Sequence, residues 1–165
     1  MVQDNSPLYK LFEDQVADVL YAERRIKESL PKMAKEAQSN ALKEAFQHHL
    51  TETEKQIERL ERVCSDLGRS NRGKKCPAIL GIIEEAEELI EENSGTNGID
   101  SALIAAAQKV EHYEIASYGT LISWAKQLKL DEAVDLLLET LEEEKSADGK
   151  LTEVSRECDP AALST

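Results

Sequence analysis

The stretch KVEHYEIASY, residues 109–118, places two carboxylates on the apolar face of a predicted helix. At 100° per residue, Glu111 and Glu114 fall between Val110 and Tyr118 on that face. An ionised carboxylate in a dry core is strongly destabilising unless it is protonated or paired. The stretch therefore indicates that something in the interior of the protein compensates for these charges.

Composition and charge describe an acidic, helical chain of 165 residues with a net charge of -13. We expect a single domain over residues 1–165, with its core bundle at about 6–157. Such a charge disfavours nucleic acid as a partner and favours cations. Because no apolar run approaches the roughly 18 to 20 residues of a membrane span, and no secretory signal is visible, we expect a cytoplasmic protein without membrane contact.

Helical periodicity runs through the whole chain, and no alternating strand pattern interrupts it. The predicted helices are one of about 30 residues that starts at Pro7, one from the turn at 38–40 to Gly68, a short one at 78–91, one from about Asp100 to Lys126, and one from about Asp131 that frays in the tail at 156–165. Pro31 predicts a kink or a short break near Ser29.

The connections between these helices predict the fold class. Two short links and one long middle connection form two helical hairpins joined by a crossover, which is the ferritin-like arrangement. The sequence thus predicts an all-α, ferritin-like four-helix bundle of two antiparallel hairpins with a long crossover carrying a short extra helix. That extra helix would cross the outside of the bundle or form part of a dimer surface.

Inward-facing acids on all four long helices fall at one height in this bundle. Measured from turns at Ser39 and Lys129, they lie 13 to 19 residues along their helices, which is roughly 20 to 29 Å at the helical rise. The acids are Glu23, Glu52, Glu111, Glu114, Glu144 and Asp148, and His49 precedes Glu52 by three residues. Since basic residues are scarce at these inward positions, two divalent or trivalent ions are the simplest compensation.

The ligand set favours some metals over others, and several assignments stay open. Oxygen-rich ligation with one imidazole suits iron or manganese better than zinc. Glu143 is an alternative to Glu144, because helix phase drifts over several turns. His49 alone also fits a core histidine bonded to a neighbour, whereas we expect His48 and His112 either to be exposed or to contact the metal ligands from outside.

Four segments of the sequence carry a resemblance to the YciE/YciF ferritin-like family. They are LYAERRIKESLPKMA at 20–34, HHLTETEKQIERLE at 48–61, AAQKVEHYEIASYGT at 106–120 and LLETLEEEKSADGKLTE at 137–153. The resemblance covers roughly residues 6–157 and implies a rubrerythrin-related, ferroxidase-like bundle with a di-metal centre. Glu-x-x-His, which two helices of such centres usually supply, is absent from this sequence.

The resemblance also implies a function. The protein would be a di-metal carboxylate protein, with two iron ions or manganese or another divalent metal, that oxidises ferrous iron with dioxygen or peroxide in a bacterial stress response. It would form a homodimer and need no catalytic residue beyond its metal ligands. These ligands would be Glu23, His49, Glu52, Glu111, Glu114, Glu144 and Asp148. The alternative is a helical stress-response or interaction protein with a weak or vestigial metal site and no turnover.

Overall fold

A computed structural model of the chain describes residues 6–163, and this part of the protein is all-α. The helices are α1 (Pro7–Glu36), α2 (Asn40–Asp66), α3 (Pro77–Asn93), α4 (Ile99–Gln127) and α5 (Asp131–Ala161). Among the described residues, none of these helices has both the length and the hydropathy of a membrane span. The predicted domain over 1–165 also includes residues 1–5 and 164–165, which lie outside the described residues.

The four long helices pack side by side, and α3 packs against α4 and α1. Ion pairs between α1 and α2 join Lys27 to Glu54 and Arg24 to Glu61. The later residue of α1, Lys27, pairs with the earlier residue of α2, Glu54. These two helices therefore run in opposite directions. Hydrogen bonds show the same for α4 and α5, where Gln108 contacts Thr152 near one end and the short link at 128–130 closes the other.

Two apolar clusters occupy the ends of the molecule and leave a polar layer between them. One cluster lies toward the α1–α2 link and includes Met33, Phe46 and Leu103. The other lies toward the α4–α5 link and includes Phe12 and Leu137. The buried polar side chains between the two clusters are Glu23, His49, Thr53, Gln56, Glu111, Glu114, Thr140 and Glu144.

The helix ends agree with the predicted turns, with one exception at the C-terminus. Gly68 has a φ of 67°, and the Arg69 amide donates to the Cys64 carbonyl at 2.8 Å, which ends α2 where the glycine predicted. The predicted fraying of the last helix is wrong, because α5 continues to Ala161. Leu151, Val154 and Cys158 extend its buried stripe and stabilise the additional turns.

Pro31 lies inside α1, which is continuous from Pro7 to Glu36. The predicted break near Ser29 is therefore absent. Pro31 is exposed, while Leu30 and Met33 beside it are buried in the core. Their packing holds the helical turn whose backbone hydrogen bond the proline removes.

All three cysteines are buried and unpaired. Cys64 and Cys76 are each 2% exposed and Cys158 is 5% exposed. Burial raises the pKa of the Cys64 and Cys158 thiols.

Candidate metal centre

Four buried side chains from three helices converge in the polar layer, and we call them the His49 cluster: His49 of α2, Glu111 and Glu114 of α4, and Glu144 of α5. One ligand atom of each lies within 4.8 Å of the others. His49 Nε2 is 3.5 Å from Glu111 Oε1 and 4.0 Å from both Glu114 Oε2 and Glu144 Oε2. Two ligands of one ion, each about 2.1 Å from it, lie roughly 3 to 4.2 Å apart. The distances from His49 Nε2 fall in this range, so they suit an ion between the imidazole and the carboxylates.

Helical periodicity explains why these polar side chains point inward. On α2, His49 follows buried Phe46 by three residues, so both lie on one face. On α5, Glu144 follows buried Leu137 by seven residues, or two turns. The apolar residues of each helix thus fix the orientation of the polar ones.

Most ligand atoms of the His49 cluster have no hydrogen bond within residues 6–163. Both nitrogens of His49, both carboxylate oxygens of Glu114 and one oxygen each of Glu111 and Glu144 are buried without a partner. Leaving such an atom unpaired costs about 1 to 3 kcal/mol, and nearly all buried polar atoms in proteins are paired. A cation bound to His49 Nε2 and to the carboxylate oxygens would satisfy most of these atoms together, so the residues fit a metal ion.

The electrostatics of the centre show that its acids lack compensation from the protein itself. Burial raises the pKa of Glu111 to about 8, and burial followed by the charge of Glu144 raises that of Glu23 to about 8. The pKa values of Glu114 and Glu144 are raised well above their usual range, mainly by burial. Burial also lowers the pKa of His49 to about 4. The imidazole is therefore neutral near pH 7, which is its metal-binding form.

The structure separates the two adjacent acids of α5 that the sequence left open. Glu143 pairs with Arg59, with Nη1 to Oε2 at 2.6 Å, and Arg59 also contacts Glu139 at 2.6 Å. Glu144 is fully buried and joins the His49 cluster. Arg59 therefore compensates Glu143, and Glu144 remains without a cationic partner among the described side chains.

Gln56 is a member of the centre that the sequence reasoning missed. It is fully buried, and its Nε2 donates to Glu143 Oε2 at 3.0 Å and to Glu144 Oε1. Its Oε1 has no hydrogen-bond partner in the described part of the chain. Gln56 lies seven residues after His49 on α2. That spacing was the available signal, but a search restricted to charged residues passes over a neutral amide.

Glu23 adjoins the His49 cluster from α1. Its side chain is fully buried and accepts a hydrogen bond from the Tyr118 hydroxyl. The charge of Glu23 contributes to the raised pKa of Glu114, so the two carboxyls are close neighbours. Its second oxygen, Oε2, has no hydrogen bond within the described residues. The structure thus places the predicted acid of the first helix beside the cluster but not within it.

The other two predicted ligands lie at the edge of the centre. Glu52 Oε2 is 3.9 Å from His49 Nδ1 and 3.1 Å from His48 Nδ1, and its side chain is 17% exposed. Asp148 contacts His112 Nε2 at 3.4 Å and accepts from Gln108 Nε2 at 3.1 Å. Both acids lie at the height of the centre along their helices, as predicted. Their side chains point toward the edge of the centre, because of their position around the helix axis.

A cleft of about 410 Å³ between α2 and α5 reaches the centre from the surface. His49, Glu52 and Glu111 line its inner part, and the exposed side chains of His48 and Lys150 also line it. The His49 cluster is therefore buried but accessible from one side of the molecule.

Comparisons with known proteins extend over nearly all of the chain. The family described as "Domain of unknown function (DUF892)" matches residues 8–162. Protein YciF of Escherichia coli K12 is 47% identical over 146 residues, 88% of either chain. The crystal structure of the E. coli stress protein YciF superposes with a TM-score of 0.88 at 44% identity, covering 94% of this chain and 98% of that one. YcfI of Rhodopseudomonas palustris, provisionally named a structural protein, gives 0.86 at 44% identity, covering 92% and 97%.

Proposed function

The chain belongs to the DUF892 family and is a homologue of the stress protein YciF, as its sequence predicted, and on this premise we propose that it is a metal-binding carboxylate protein of the ferritin-like class. The observation that carries the proposal is the His49 cluster, whose buried ligand atoms converge, most of them without a hydrogen bond in the described structure. In this proposal α1–α2 and α4–α5 are the two antiparallel hairpins of a ferritin-like bundle. The connection that carries α3 is its crossover.

Iron is the metal that we propose for this centre. The His49 cluster offers three carboxylates and one imidazole. Carboxylate-rich sites with imidazole suit iron or manganese, whereas structural zinc sites favour cysteine and histidine. No cysteine belongs to the cluster as the structure describes it.

Two ions would balance the charge of the whole centre. Glu23, Glu111, Glu114 and Glu144 would carry four negative charges when ionised, and two divalent ions supply four positive charges. The unpaired Oε2 of Glu23 and Oε1 of Gln56 are the ligand atoms we assign to the second ion, beside the His49 cluster. Metal binding would displace the protons that the raised pKa values retain on these acids.

We propose that the substrate is ferrous iron, oxidised to ferric iron with dioxygen or peroxide as the acceptor. A bound iron pair supplies the one-electron chemistry that side chains lack. The protein's residues hold the ligands in place: Tyr118 bonds Glu23, and Gln56 bonds Glu144. The cleft between α2 and α5 admits small reactants to one side of the centre.

The cellular setting belongs to the same proposal. E. coli YciF is named a stress protein, and we extend that role to this chain as a cytoplasmic protein of a bacterial stress response. We also propose that it acts as a homodimer, which its family resemblance implies.

A helical structural or interaction protein is the second candidate function. The provisional name of YcfI favours it. The acids would then be protonated and share hydrogen bonds. The pKa values of Glu23 and Glu111, about 8, are consistent with protonated carboxyl groups near neutral pH. Metal content distinguishes the two candidates.

The experiment compares two neighbouring substitutions on α5, Glu144→Gln and Glu142→Gln. Glu144 is fully buried in the cluster, whereas the side chain of Glu142 is 69% exposed and pairs with Lys145. Protein purified without chelator is assayed for bound metal, then titrated anaerobically with ferrous iron, and oxygen consumption is measured. We expect wild type and Glu142→Gln to bind metal equally.

Loss of one ligand in Glu144→Gln should weaken binding by at least the 10- to 100-fold that removal of a supporting residue typically costs. Metal with oxygen consumption supports the ferroxidase, and metal without turnover reduces the proposal to a binding module. Absence of metal in wild type near pH 7 would overturn the proposal and favour the interaction protein.

A further inference from the structure

Three side chains line the cleft at successive turns of α2. Glu44, His48 and Glu52 follow one another at intervals of four residues, and all three line the cleft between α2 and α5. Side chains at this spacing lie on one helix face at a separation of about 5 to 6 Å. We call Glu44, His48 and Glu52 the α2 ladder.

The side chains of the α2 ladder change from exposed to largely buried toward the centre. Glu44 is exposed, the side chain of His48 is 74% exposed, and that of Glu52 is 17% exposed. His49, which Glu52 approaches at 3.9 Å, is only 6% exposed at its side chain. The ladder therefore leads from solvent to the buried cluster without leaving the cleft.

The chemistry of the ladder suits a divalent cation. It alternates carboxylate, imidazole and carboxylate, and His48 Nδ1 already lies 3.1 Å from Glu52 Oε2. The buried end of the path offers an independent sign of a ligand. His49 lines the same cleft, and its Nδ1 on the side of Glu52 has no hydrogen bond within the described residues.

The opposite wall of the cleft carries the positive charge of Lys150. Its ammonium also pairs with Glu153 at 3.3 Å on the surface. The two acids of the α2 ladder, Glu44 and Glu52, outnumber this lysine in the cleft, so the field there favours cations. Narrow clefts lined by one sign of charge raise the association rate of oppositely charged ligands about 10- to 1000-fold.

We infer that the α2 ladder is a transient binding path that takes divalent cations from solvent and delivers them through Glu52 to the His49 cluster. This inference rests on the proposed function of that cluster. Each rung offers one ligand group, so binding at any rung is weak and release to the next rung is fast. A residue that acts on the path, and not at its end, changes association and dissociation rates by the same factor and leaves the Kd unchanged.

The test follows uptake of Co²⁺ by the metal-free full-length protein in a stopped-flow spectrometer, with equilibrium titration of the same samples. His48→Gln and Glu44→Gln remove rungs. Glu54→Gln is the matched control, because Glu54 is an exposed acid of the same helix that pairs with Lys27 of α1 and does not line the cleft. Lys150→Gln removes the opposing charge.

We expect His48→Gln and Glu44→Gln each to slow both association and dissociation, with unchanged stoichiometry and Kd. The two substitutions together should slow each rate roughly tenfold. Lys150→Gln should accelerate association, and Glu54→Gln should match wild type. Opposite signs at His48 and Lys150 cannot both come from damaged folding.

The negative outcomes separate the ladder from the centre. Wild type that takes up no Co²⁺ would overturn the proposed function. Uptake by wild type with an unchanged rate in His48→Gln would overturn the ladder alone. A weakened Kd at an unchanged association rate would make His48 a resident ligand and would also overturn the ladder.

Discussion

At the scale of single residues, Glu143 and Glu144 show that adjacent positions on a helix can place one carboxylate in an ion pair and the next in the buried centre. The step of 100° turns Glu143 toward Arg59 and Glu144 into the interior. The guanidinium of Arg59 pairs with the Glu143 carboxylate outside the buried cluster. Glu144 has the amide of Gln56, the neutral imidazole of His49 and other acids around it, so its ionised form depends on a cation from outside the chain.

The crowded acids predict an unusual pH dependence for the metal-free protein. The pKa of Glu23 and of Glu111 is about 8 in the folded state, while an unfolded Glu loses its proton near pH 4.5. Between these values the folded state binds more protons, so stability falls as pH rises, by up to about 1.4 kcal/mol per pH unit for each acid. His49 opposes this only between about pH 4 and 6.5, where the unfolded state binds the extra proton.

Urea denaturation of chelator-treated protein between pH 6.5 and 8 measures this slope. We expect stability to decrease across that window, and Glu144→Gln to reduce the decrease because it removes one charge from the cluster. Stability that is flat or rises with pH in wild type would show that the acids are compensated within the protein.

Residue-level prediction from sequence succeeded where the neighbours are apolar. Val110 and Tyr118 bracket Glu111 and Glu114, and the structure buries both acids at the predicted height. Gln56 was not predicted, because its neutral amide does not distinguish it from an ordinary polar residue. Height along the bundle could not decide whether a side chain at the edge of a seam faces inward, and the structure turns Glu52 toward the cleft.

At the scale of elements, the links between helices are fixed by one acid of α4. Asp100 is buried in the first turn of α4 and accepts from the amides of Gln38 at 2.7 Å and Ser39 at 2.8 Å. These amides belong to the link between α1 and α2. Asp100 therefore connects the α1–α2 pair to the start of α4.

We predict that Asp100→Asn lowers the free energy of unfolding by about 2 kcal/mol, because one acceptor is replaced by a donor that faces a backbone amide. Denaturant unfolding measures the loss. Asp131→Asn is the control, since Asp131 occupies the first turn of α5 and is exposed. It removes the same favourable charge from a helix N-terminus. Equal losses in the two variants would refute the role of the link.

Element boundaries were predictable from caps and less so from composition. Gly68 and the turn at 128–130 ended helices where the sequence indicated. The last helix was predicted too short, because the residues near its end are mostly polar and the prediction did not extend the apolar stripe beyond Leu151 to Val154 and Cys158. The break predicted at Pro31 is absent because the packing of Leu30 and Met33 maintains the helix there. The effect of a proline can be predicted from the local sequence, whereas the burial of its neighbours depends on the rest of the fold.

At the scale of the whole molecule, the centre ties distant parts of the chain together. The His49 cluster draws on α2, α4 and α5, and Glu23 adds α1. The all-α architecture was predictable from periodicity, and homology to YciF supports it over nearly the whole chain. What no single helix could reveal is which polar atoms remain unpaired after the helices assemble.

Metal should therefore stabilise the entire fold. An ion at 100 times its Kd adds about 2.7 kcal/mol to the free energy of unfolding, which for a chain of this size corresponds to a rise of about 5 to 10 °C in Tm. Calorimetry with and without ferrous iron or Co²⁺ under anaerobic conditions measures the shift. Glu144→Gln should lose most of it and Glu142→Gln should retain it. An equal shift in both variants would place the ion outside the cluster.

The burial of Cys64, Cys76 and Cys158 has a practical consequence for spectroscopy. Maleimide reagents attack accessible thiolates, and the burial of these three side chains denies such reagents access. A single cysteine introduced on the surface would accept a fluorophore or a spin label while the native thiols stay untouched, so probes could be attached without first building a cysteine-free background.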